Sequence, residues 1–113
     1  MSEESGAKPI QWLGDSLDRL RRFPHAARRE IGYQLSLIQN GRSASDWKPI
    51  PVVGAGVIEI RVHAEGEYRM FYAAKFEDAV YVLHVFVKKT RKASSLDLEL
   101  GKKRYRELLE RQK

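Results

Sequence analysis

Residues 57–92 read VIEIRVHAEGEYRMFYAAKFEDAVYVLHVFVKKTRK, and this stretch decides the fold. β-branched and aromatic residues fill three runs, broken at Glu65-Gly66-Glu67 and at Glu77-Asp78. Such runs between turn residues predict three consecutive antiparallel strands. With Glu65-Gly66-Glu67 as a three-residue loop, Arg61 faces Phe71 and His63 faces Arg69. With Glu77-Asp78 as a two-residue loop, Phe71 faces His84 and Arg69 faces Phe86. Side chains alternate with period two, and opposed residues share a face. One face is then Ile58, Ile60, Val62, Met70, Tyr72, Leu83 and Val85, a core. The other is Glu59, Arg61, His63, Arg69, Phe71, His84, Phe86 and Lys88.

Working outward, Ser94-Ser95-Leu96-Asp97 resembles a capping box with aspartate for the usual glutamate. Leu98, Gly101, Tyr105 and Leu108 follow at helical spacing, predicting a C-terminal helix. Upstream, residues 42–56 (RSASDWKPIPVVGAG) read as a loop, with Trp47 as a lid on the core. Ala27, Ile31, Leu35 and Ile38 form one apolar stripe of a helix. That helix opens at Pro24, where a missing N–H costs little, and closes at Asn40-Gly41. A shorter helix bearing Leu17 and Leu20 precedes it, capped by Asp15 or Ser16 and stopped at Phe23-Pro24. The two make a hairpin whose Arg19, Arg21, Arg22, Arg28, Arg29 and Glu30 mostly face water. Residues 8–13 (KPIQWL) suit a first strand, and residues 1–7 read as disordered. The expected fold class is α+β: one domain over residues 8–113, with a twisted antiparallel sheet of about four strands, an N-terminal helical hairpin and a C-terminal helix.

The 113 residues suit a single domain and bury roughly 65% of the unfolded surface. Cysteine is absent, which excludes disulfides and thiolate metal sites and suits a reducing cytoplasm. No apolar run is long enough to span a membrane, and the acidic N-terminus does not read as a signal peptide. The histidines have no metal-ligand spacing, so no metal or cofactor is expected. The net charge is +6. Residues 1–87 hold 11 basic and 11 acidic side chains, and residues 88–113 hold 10 and 4, so the excess lies at the C-terminal end. Concentrated positive charge favours nucleic acid or an acidic protein.

The second face has the residue types for cutting RNA. Cleavage needs a base for the 2′-hydroxyl, positive donors for the phosphate, and an acid for the leaving 5′-oxygen. Arg61 and Arg69, on adjacent strands, have planar forks suited to one phosphate. His84, Lys88 and Lys89 are the proton-transfer candidates beside them, histidine because it titrates near neutrality. Lysine needs positive neighbours or burial to do so. His63, Arg91 and Lys92 extend the RNA-binding surface, and Phe71 and Phe86 are candidates to stack a base.

The segments WLGDSL, EIRV, YRMFY and HVFVKKTRK, in this order of elements, resemble RelE/HigB-type toxins, closest to the phage-derived HigB-like branch of type II toxin–antitoxin modules. The resemblance spans about residues 8–110. It implies a ribosome-dependent mRNA endonuclease acting without metal in the cytoplasm, and a helix-turn-helix (HigA-like) antitoxin through which alone the complex binds DNA. By position, Arg61 matches the arginine or lysine of the family's second strand. Arg69 matches the third-strand arginine thought to hold the scissile phosphate, and Lys88 and Lys89 match the basic pair after the last strand. Glu59 stands where strongly active members often carry lysine, and the tyrosine some relatives use has no match. Two other readings stay open from the residues: a ParE-like gyrase poison on the same fold, and a non-catalytic nucleic-acid or protein-binding module.

Overall fold

The β-branched runs become strands, and two short segments join them. The computed structural model describes residues 7–89 and 94–113. In chain order the strands are β1 (Ile10–Trp12), β2 (Trp47–Pro49), β3 (Val57–His63), β4 (Glu67–Ala73) and β5 (Val80–Val87), in one sheet of order β1-β5-β4-β3-β2. The helices are α1 (Ser16–Arg21), α2 (His25–Gln39) and α3 (Ser95–Arg111). This is the expected α+β architecture, with particulars that matter for the site. β1 pairs parallel with β5, so the sheet is mixed, and the edge strand β2 comes from the segment expected as loop. Six of the seven residues expected to be disordered, and the site residues Arg91 and Lys92, lie outside the described residues.

The β3–β4 register differs from the expected one by two residues. Arg61 faces Arg69, and His63 faces Glu67. The turn is Ala64-Glu65-Gly66, because Glu65 (φ 62°) and Gly66 (φ 155°) take the positive φ values that the turn needs. Glu67 therefore opens β4. A slip of two preserves both faces. In the β4–β5 ladder, Arg69 faces Phe86 and Phe71 faces His84 as expected, and then the register shifts by one between Phe71 and Tyr72. Beyond the shift Tyr72 faces Val82, so the turn is longer than Glu77-Asp78. An extra residue in one strand re-aims its side chains. Leu83, expected on one face with Ile60, Met70 and Val85, packs on the other.

Both faces of the sheet are covered. The α2 stripe of Ala27, Ile31, Leu35 and Ile38 packs on Ile60, Val62, Met70, Tyr72, Val82 and Val85. Each fully buried side chain of this size contributes about 1.5–3 kcal/mol. On the other face, Tyr105 and Leu108 of α3 pack with Val53, Phe71, Leu83 and Phe86 into a second core. Trp47, expected as a lid, is 45% exposed and lines a hollow beside Ile38, Ile58 and Tyr72. Ser94 caps α3 as expected, its hydroxyl accepting the Asp97 N–H at 3.1 Å. Asp15 occupies the cap position of α1 without a capping bond. Its carboxylate instead accepts from Arg104 at 2.7 Å and Arg19 at 3.0 Å. Among the described residues, no helix is long and apolar enough to cross a membrane.

Candidate active site

Toward the hairpin end of β3 and β4 the cations gather, Arg61 with a third of its side chain exposed and Arg69 nearly buried. Arg61 and Arg69 face each other across the two strands. Glu59 is two residues before Arg61 on the same face, and Lys48 of β2 is opposite Glu59. Glu59 is only 4% exposed, yet no hydrogen bond reaches its carboxylate among the described residues. Its Oε1 lies 3.7 Å from Arg61 Nε and 3.8 Å from Lys48 Nζ, and its Oε2 lies 3.9 Å from Arg69 Nε. These separations give Coulomb attraction without hydrogen bonds.

Both arginine Nε–H groups are buried and have no hydrogen-bond partner among the described residues. A buried unpaired donor costs about 1–3 kcal/mol, more when charged. Arg69 spends Nη1 on Glu67 Oε1 and on the Tyr68 carbonyl, both at 3.2 Å. Arg61 Nη1 lies 3.9 Å from Asp46. His63 joins these outer carboxylates: Nδ1 is 2.7 Å from Glu67 and Nε2 is 3.0 Å from Asp46. Hydrogen bonding to Glu67, then to Asp46, holds the His63 pKa above its ordinary value. The same contact holds Glu67 below the usual carboxylate range.

Lys88 continues the ladder, its N–H donating to the Glu67 carbonyl at 2.8 Å. Its ammonium pKa is lowered, first by burial and then by the charge of Arg69, with Glu59 opposing. Lys89 is exposed. The structure thus brings Arg61, Arg69 and Lys88 together, with His63 at the rim.

Three other expected site residues are enclosed. Phe71 is 0% and Phe86 3% exposed, their rings 5.2 Å apart in the second core, so neither has an open face. His84 is fully buried and held from both sides. Arg104 Nη1, which can only donate, lies 3.3 Å from Nδ1, so Nδ1 accepts and Nε2–H donates to Asp97 at 2.7 Å. Burial lowers the His84 pKa, against the pull of Asp97. His84 ties α3 to β5 and faces no open surface.

Sequence reasoning passed over Lys48 and set Glu59 aside as a departure. Lys48 gives little signal, because three residues beside a proline show no period. Glu59 was legible, since it shares the parity of Arg61 and Arg69 along the strands.

A mixed sheet with helices on both faces, carrying a partly exposed Arg61 and a nearly buried Arg69 around Glu59 at one end, defines a small α+β domain with a cationic sheet end. The family model described as Phage derived protein Gp49-like (DUF891) matches residues 18–106, from α1 through most of α3. The chain belongs to this phage-derived Gp49-like family, which is a RelE-like, toxin-like family. A search of the curated proteins finds no match.

Proposed function

We propose that this chain is the toxin of a HigB-like type II toxin–antitoxin pair, and that it cuts mRNA on the translating ribosome without a metal. The observation that carries the proposal is the opposed pair Arg61–Arg69, with both Nε–H groups buried and unpartnered around Glu59. An Arg fork binds phosphate in two parallel bonds, and Arg61, with a third of its side chain exposed, presents one beside Arg69. Membership of the Gp49-like family supports a toxin role.

In this reading Arg61 and Arg69 grip the scissile phosphate and offset the charge that develops on it. Among the carboxylates of the described residues, Glu59 alone lies within 4 Å of both arginines. A carboxylate there accepts the 2′-hydroxyl proton. Lys88, its pKa lowered by burial and by Arg69, gives a proton to the leaving 5′-oxygen. Lys89 and His63 contact the flanking backbone. His84 holds the last helix, and the two phenylalanines support the strand floor. A helix-turn-helix antitoxin neutralises the toxin and carries the DNA contact.

Induced expression in bacteria tests the role. The parent chain arrests growth, and Arg69→Ala does not. Arg69→Lys keeps a charge beside Glu59 but lacks the planar fork, so it too loses the arrest while retaining a native unfolding transition. Arrest undiminished in a folded Arg69→Lys chain would remove the phosphate clamp from the account.

A further inference from the structure

The densest run of arginine lies away from the site just described. Residues 19–29, RLRRFPHAARR, hold five arginines, a histidine and no carboxylate. They form the elbow between α1 and α2. Arg19 pairs with Asp15 at 3.0 Å. Arg21, Arg22, Arg28 and Arg29 are exposed and make no ion pair among the described residues. The nearby Glu30 takes a hydrogen bond from Gln34 Nε2 at 2.8 Å. The first turn of α2 holds no acidic residue, and Asp18, one turn before Arg21 and Arg22 in α1, makes no ion pair among the described residues, so the run is cationic on balance.

An aromatic ring stands beside them. Tyr33 is 57% exposed and one helical turn from Arg29. With Ala26, Arg29 and Glu30 it lines a shallow hollow of about 350 Å³. The elbow is also placed at the same end of the sheet as the arginine pair. The Phe23 ring lies 4.8 Å from the Tyr68 ring, and Tyr68 is the neighbour of Arg69 in β4. The two cationic surfaces therefore stand on opposite faces of one sheet end.

We propose that the elbow is a second RNA-binding surface, in which Arg21, Arg22, Arg28 and Arg29 hold phosphates and Tyr33 stacks a base. Planar guanidinium groups match phosphate geometry, and an exposed ring next to them suits a nucleobase face. These two features together favour RNA over an acidic protein surface. The inference rests on the RNA reading of the arginine pair, but its readouts are separate.

The test is the affinity of the full chain for a labelled single-stranded RNA of about 20 nucleotides, measured across a salt series. Each neutralised phosphate contributes about 0.7 to the slope of log K against log salt. Combined substitution R21Q/R22Q/R28Q/R29Q is expected to flatten that slope by roughly 2–3. Tyr33→Ala is expected to weaken binding about 5–100-fold at every salt concentration with the slope unchanged. A parent-like slope in the quadruple variant, or parent-like affinity in Tyr33→Ala, would overturn the proposal. Quadruple-variant binding that falls for polyglutamate but not for RNA would also overturn it, in favour of an acidic protein partner. Cleavage by these variants and by Arg69→Ala reads the other site, so failure of the elbow and failure of the active site are told apart.

Discussion

In the proposed mechanism Glu59 is the proton acceptor. It is nearly buried, yet its three cationic neighbours stand at 3.7–3.9 Å, too far for hydrogen bonds. If it takes the 2′-hydroxyl proton, Glu59→Gln lowers the cleavage rate by about 10²–10⁴-fold. If it only repels phosphate, the same substitution raises the rate, so one rate comparison separates the two roles. Phe71 gives a contrasting expectation. It is 0% exposed, so Phe71→Ala costs about 3–5 kcal/mol of stability in a denaturant titration; an unchanged midpoint would deny its packing role. His84 predicts a pH dependence. Its folded pKa lies below the ordinary 6.5, so between the two values the unfolded chain binds more protons. This contribution is complete above about pH 6.5 and fades as pH falls below it. His63 acts with the opposite sign, because its folded pKa is raised; its contribution fades as pH rises above 6.5. His84→Asn should therefore flatten the loss of stability on the acid side of pH 6.5. An acid limb as steep as the parent's would assign that loss to other groups.

At the scale of elements, the close seat of α3 on the sheet is what encloses the second core. Gly101 makes it possible: a Cβ there would stand 2.9 Å from the Phe71 ring and 3.1 Å from Val53. Gly101→Ala is expected to destabilise by about 1–3 kcal/mol through overpacking, read as a lower denaturation midpoint, and a raised midpoint would contradict this packing. The same helix marks the limit of what the sequence disclosed. The three strands, the stripe of α2 and the Ser94 cap were legible, because period, turn residues and caps are local signals. The alternation also put Arg61, Arg69 and Lys88 on one face. It gave no sign that α3 covers Phe71, Phe86 and His84, since covering is a tertiary fact. The β4–β5 bulge was equally hidden: Leu83 reads as apolar on either face, and only the ladder fixes which core it enters. β2 was missed for its brevity, and with it Lys48.

At the scale of the whole molecule, a five-stranded sheet is packed on both faces by helices, and the arginine pair lies toward the hairpin end of β3 and β4. Cationic surfaces lie at that end on both faces, one around the Arg61–Arg69 pair and one at the α1–α2 elbow. In the proposed function the arginine pair holds the scissile phosphate while the message is cut during translation. The most direct measurement adds the purified chain, and separately Arg69→Ala, to a cell-free translation reaction and maps the 5′ ends of the message. New ends in phase with codons, absent without ribosomes and lost in Arg69→Ala, are the predicted result. An intact message in the presence of the parent chain, or the same ends from Arg69→Ala, would contradict it.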